Sequence, residues 1–146
     1  MTGWHISVYR LGLSETQVPD IPALLAKFPT VWKGDSDEDH KVGMSLCEGE
    51  RLAVWQADSI RWLMDLCDGG RAAGLGNGYP FYFFGFARDL TPTILKGPPD
   101  ARETWSFSPG DVIGPGWDGH SVIDTKKIKG KVSPSEWLIV QAFDES

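Results

Sequence analysis

Apolar and polar residues alternate from Trp4 to Leu11, with Trp4, Ile6 and Val8 on one side and His5, Ser7 and Tyr9 on the other. That period of two predicts a strand with one buried face. Pro19, Pro22 and Pro29 then punctuate a stretch whose apolar side is Leu24, Leu25 and Phe28. Pro22 suits a first helical position, so a short helix is expected there. Leu52 to Gln56 reads as a second strand. Beyond it, Ile60, Leu63, Met64 and Cys67 follow i, i+3, i+4, i+7 spacing. This predicts a helix over 58–68 with those four residues as its buried stripe, Asp58 or Ser59 as its cap and Gly69-Gly70 as its stop. Arg61, Asp65 and Asp68 fall off the stripe.

Two segments are apolar on both sides: Phe81 to Ala87, and Glu136 to Phe143 with its Trp-Leu-Ile-Val run. Strands of that kind belong in the middle of a sheet, covered on both faces. Thr91-Pro92 is expected to start a short helix that Gly97, Pro98 and Pro99 end. Glu103 to Phe107 and Ser121 to Ile123 are candidate strands. Thr125 to Val132, with four lysines, reads as a turn or solvated helix. Trp32 to Glu50 reads as a long loop with a short strand at Val42 to Cys47. Gly74 to Pro80 reads as a flexible turn, and Pro109 to Gly119 as irregular. No repeat and no linker interrupts the chain. The expectation is one α+β domain over 1–146, with a mainly antiparallel sheet, one principal helix (about 58–68) and short helices on one face.

Composition narrows the function classes. The net charge is −6 and the pI about 4.9. A basic footprint for phosphates is therefore missing, and so is one for anionic lipid, so neither nucleic acid nor membrane is an expected partner. A cationic partner is favoured, because complementary charge speeds encounter. The seven tryptophans are spread along the chain, so most are expected to anchor the core with their N–H groups paired. No apolar run approaches the ~20 residues that span a bilayer. The opening Met-Thr-Gly-Trp-His has no basic region followed by an apolar stretch. A cytoplasmic protein with two free thiols, monomeric or a weak homodimer, is the expectation.

Candidate chemistry is sparse. Cys47 or Cys67 with His5, His40 or His120 could form a thiol–imidazole pair, but no family signature surrounds either cysteine. Cys67 lies on the apolar stripe, where a structural thiol is expected. Asp35-x-Asp37-x-Asp39 matches the first ligand positions of a calcium loop, but His40 stands where glycine is needed and Leu46 where glutamate is needed. No metal or cofactor is expected. The Gly74-x-Gly76-x-Gly78 run has a helix before it and a strand after it, the reverse of a phosphate loop, so a hairpin connection is expected. His5 and His120 with Lys126 or Lys127 could suit nuclease chemistry, against the sign of the net charge.

The most concentrated signal is the run Asp35, Asp37, Glu38 and Asp39, preceded by Trp32 and followed by Glu48 and Glu50. Charge beside an aromatic anchor is how tight interfaces are built, so these seven residues are the candidate partner-binding set. In size, acidity, tryptophan content and α+β pattern, the chain resembles the small acidic immunity proteins encoded beside bacterial contact-dependent or other secreted polymorphic toxins. Trp4 to Leu11 and the Glu136 to Val140 strand fit that class, although neither is a specific motif, and no binding residue carries over by position. The resemblance implies a non-catalytic inhibitor that occludes the active site, or a nearby exosite, of a cognate and often basic nuclease-type toxin. Two other readings stay open: a small-molecule or accessory domain with the Phe81 to Phe86 strand lining an apolar pocket, and an enzyme using His120 or Cys47.

Overall fold

The computed structural model describes residues 3–27, 41, 44–76, 78–101 and 122–144. The expected elements at 103–107 and 109–119, and most of the 32–50 loop, lie outside them. The described strands are β1 (Trp4–Ser14), β2 (Arg51–Ala57), β3 (Ala72–Gly76), β4 (Phe81–Phe86), β5 (Val122–Ile123) and β6 (Glu136–Asp144). They form one sheet in the order β3-β4-β6-β1-β2-β5, every pairing antiparallel. Among the described residues these helices accompany them, besides a helical turn at Met44 to Leu46: α1 (Ile21–Ala26), α2 (Arg61–Asp68), α3 (Ala87–Leu95) and α4 (Thr125–Gly130). The class is α+β, as the pattern of periods predicts.

The two doubly apolar segments occupy central positions. β6 lies between β4 and β1, and β4 between β3 and β6. On one face Phe83, Leu138, Val140, Ile6, Val8 and Trp55 join a core closed by Leu63 of α2, Leu90 and Ile94 of α3, and Ile128 of α4. On the other face Tyr82, Phe84, Phe86, Trp137 and Ile139 join a second core closed by Val18 and by Leu24 of α1. Helices therefore sit on both faces and not on one, because β4 and β6 are apolar on both sides and each side must be covered. Trp55 and Trp137 are fully buried, and their indole N–H groups donate to the carbonyls of Pro99 (3.1 Å) and Val18 (3.0 Å). That is the pairing a buried indole requires.

Four local expectations are corrected. Met44 to Leu46 is a helical turn, not part of a strand. The glycine-rich stretch is half strand: Ala72–Gly76 pairs with Phe81–Gly85 as a hairpin. Gly74 is required inside it, since a Cβ there would come within 2.9 Å of the Phe83 ring. Pro92 lies inside α3 and does not open it; the helix begins at Ala87, directly after β4. α2 begins at Arg61, with Ser59 Oγ accepting the Arg61 N–H at 3.0 Å. Its contact face is Leu63, flanked by Trp62, Leu66 and Cys67, while Met64 is 47 % exposed instead of buried.

Candidate functional site

Of the seven predicted partner-binding residues, Trp32, Asp35, Asp37, Glu38 and Asp39 lie outside the described residues, as do His40 and His120. Glu48 and Glu50 are described, and both are exposed. They sit on a segment that returns the chain to the sheet. Its helical turn is closed by the Cys47 N–H donating to the Met44 carbonyl at 3.1 Å. Leu46 and Cys47 pack on the second core, against the side of the sheet that carries Trp137 and Tyr82. Met44 turns outward and is 48 % exposed, with the Gln141 amide donating to its sulfur at 3.5 Å.

Next to it, Gly49 lies so close to β1 that an added Cβ would fall 2.1 Å from the Arg10 carbonyl oxygen. The Arg10 N–H donates to the Glu50 carbonyl at 2.9 Å. Between this segment and β1 lies an open groove of about 330 Å³, lined by Arg10, Leu11, Gly12, Leu46, Gly49 and Glu50.

From Arg10 and Glu50, which line that groove, charges of alternating sign run on to Glu136, Lys127 and Asp124. The Arg10 guanidinium forks onto the buried Glu136 carboxylate, Nε to one oxygen and Nη2 to the other at 3.1 Å. Planar two-point pairing of this kind fixes both side chains. Arg10 Nη1 also reaches Glu50 at 3.5 Å, and Lys127 Nζ reaches the other Glu50 oxygen at 3.3 Å. Lys127 continues to Asp124 at 3.6 Å. Asp124 caps α4 by accepting the Lys127 N–H at 3.0 Å, and this bond holds its carboxyl below the ordinary aspartate value. Glu50 is thus compensated by two cations of its own chain, whereas Glu48 stands on the open surface. The pairing of Arg10 carries no signal in the sequence, because Arg10 and Glu136 are 126 residues apart and meet only through the β1–β6 pairing.

The reactive candidates are placed less favourably. Burial pushes the Cys47 thiol up to about 12, so it stays protonated and a poor nucleophile at neutral pH. Cys67, half-buried on α2, is raised by burial first and by Asp68 second. His5 lies in β1 with Gln56 and Phe143 as its cross-strand neighbours. The side chains of Phe83 and Phe84, expected to line a pocket in one reading, are 2 % and 0 % exposed within the two cores. Among the described residues no cluster of three or more metal-ligating side chains occurs, and no helix is long and apolar enough to cross a membrane.

Comparison with protein-family models, with curated proteins and with solved structures finds no match to this chain.

Proposed function

We propose that this chain is a non-catalytic inhibitory binding protein, an immunity protein that occludes the active site of a cognate, basic toxin domain. One observation carries the reading. The stretch 35–50 holds six carboxylates against the single lysine Lys41, and Met44 stands exposed within it, beside Glu48. A large apolar side chain in water, in a stretch whose charged residues are mostly of one sign, is the composition of an interface whose anchor is buried by a partner and whose charge steers it. Asp35, Asp37, Glu38 and Asp39 supply the attraction in this mechanism, Trp32 and Met44 the desolvated contact, and the bulk of the sheet blocks access to the toxin's site.

The reading is tested with the toxin domain encoded by the neighbouring gene. Wild-type chain is expected to co-purify with it and to suppress its activity. Replacing Asp35, Asp37, Glu38 and Asp39 by Asn or Gln should slow association about tenfold or more at low salt, the scale on which steering acts. Met44→Ala should act on dissociation. Glu50→Gln should change association least, because Arg10 and Lys127 already offset that charge. Stopped-flow association rates equal to wild type in the fourfold variant would remove the acidic run from the interface.

A further inference from the structure

A second surface, on the opposite side of the sheet, has the same two ingredients in a different arrangement. Where the start of β1 meets α2, an open groove of about 380 Å³ is lined by Trp4, Ile60 and Met64 and by the charged residues Asp58, Arg61, Asp65 and Asp68. Its apolar floor is held rigid. The Trp4 ring stacks on Phe81 at 5.9 Å between centroids and 20° between planes. Ile60 is fixed in the core.

Met64 is the exception, 47 % exposed on a helix whose neighbouring residue, Leu63, is completely buried. An unbranched, polarizable side chain left in water within a groove is an adaptable contact for another apolar group. The walls are mainly acidic, with Asp65 and Asp68 beside Asp58 and the one guanidinium of Arg61. Among the described residues no ion pair involves Asp65 or Asp68, in contrast to Glu50 on the other surface.

We infer that this groove docks a short basic segment of a protein partner, its apolar side chain seated on Met64 and Trp4 and its lysines or arginines reaching Asp65 and Asp68. Charge complementarity selects this occupant. An acidic or neutral segment would leave adjacent carboxylates facing one another across a partly dehydrated contact, whereas guanidinium and ammonium groups offset them. The site is separate from the Met44 surface. α2 packs on the core that contains Phe83 and Leu138, while the segment bearing Met44 packs on the core that contains Tyr82 and Trp137. A partner pressed flat against the Met44 surface leaves this groove open, so its occupancy does not depend on Met44.

The chain contains three methionines, Met1, Met44 and Met64, so methyl-labelled methionine NMR gives one reporter for each surface. The probe is the synthetic peptide acetyl-Arg-Lys-Leu-Arg-Lys-amide, with acetyl-Glu-Glu-Leu-Glu-Glu-amide as the control. The Met64 methyl signal is expected to shift saturably with the basic peptide and to stay in place with the acidic one. The double variant Asp65→Asn, Asp68→Asn is near-isosteric at two exposed positions, and its unchanged amide spectrum shows that it remains folded. It should weaken the affinity about tenfold, the equivalent of about 1.4 kcal/mol, while the fourfold variant of Asp35, Asp37, Glu38 and Asp39 keeps wild-type affinity for the peptide. A Met64 signal that does not move up to about 5 mM peptide, where even millimolar binding would register, overturns the inference. So does equal binding by the double variant. A shift of Met44 alone would support the acidic-stretch reading and overturn this one.

Discussion

Cys47 shows how a side chain's chemistry is decided by its surroundings and not by its type. The sequence leaves it open as a nucleophile, but its thiol is packed beside the second core and pushed up to about 12 by burial. At pH 8 the thiolate fraction is then about three orders of magnitude below that of a free cysteine. Native protein treated with iodoacetamide at pH 8 should leave Cys47 unmodified on the timescale that labels unfolded chain completely, as read by peptide mass mapping. Fast native labelling would show the thiol to be accessible and ionised. The same shift couples to stability. The folded thiol resists ionisation while the unfolded one ionises near 9.0, so the contribution is complete below pH 9 and is lost as pH rises from there to about 12. A plot of unfolding free energy against pH should slope downward across that window, and Cys47→Ser should flatten the slope. Gly49 and Arg10 make a similar point, since neither residue type advertises the contact between them.

Elements with a strong period were legible, and elements held by distant partners were not. Strand β1, the helix around Leu63 and the central strands β4 and β6 follow from apolar spacing alone, because burial of one or both faces dictates their side-chain pattern. Met64 was misplaced because a four-residue stripe fits the spacing, yet an eight-residue helix presents only a narrow face to a sheet, and Leu63 with its flanks fills it. Strand β3 was hidden by its glycines, which lack strand propensity and are tolerated because Phe83 fills the space above Gly74. The turn at Met44 has a strand-like local sequence because its anchor, the contact of Gly49 with β1, is long-range. That contact can be tested as a property of the element. Gly49→Ala would place a methyl group 2.1 Å from the Arg10 carbonyl oxygen, which backbone must relieve by moving. The entry to β2 and the Tyr9–Arg51 pairing should loosen, at a cost of about 1–3 kcal/mol. The check is a lowered urea midpoint at unchanged slope; an unaltered midpoint would mean that the segment does not bear on β1 in solution.

At the scale of the molecule, acidity was legible but its distribution was not. Glu50 counts toward the net charge exactly as Asp65 does, yet one is compensated by Arg10 and Lys127 and the other stands beside an exposed methionine. Only the fold, by bringing residues 10, 50, 127 and 136 together, separates structural charge from charge available to a partner. The same fold makes β6 the common wall of two cores: Leu138 faces one and Ile139 the other, each with no exposed surface. Leu138→Ala and Ile139→Ala each remove buried methyl groups and should each cost about 2–5 kcal/mol. Because the strand is shared, neither core can lose its packing while the other keeps its wall. Both variants should therefore shift one cooperative transition, with tryptophan fluorescence and far-ultraviolet circular dichroism coincident in urea. Separation of the two probes in either variant would mean that the faces unfold independently and that β6 is not the element that unites them.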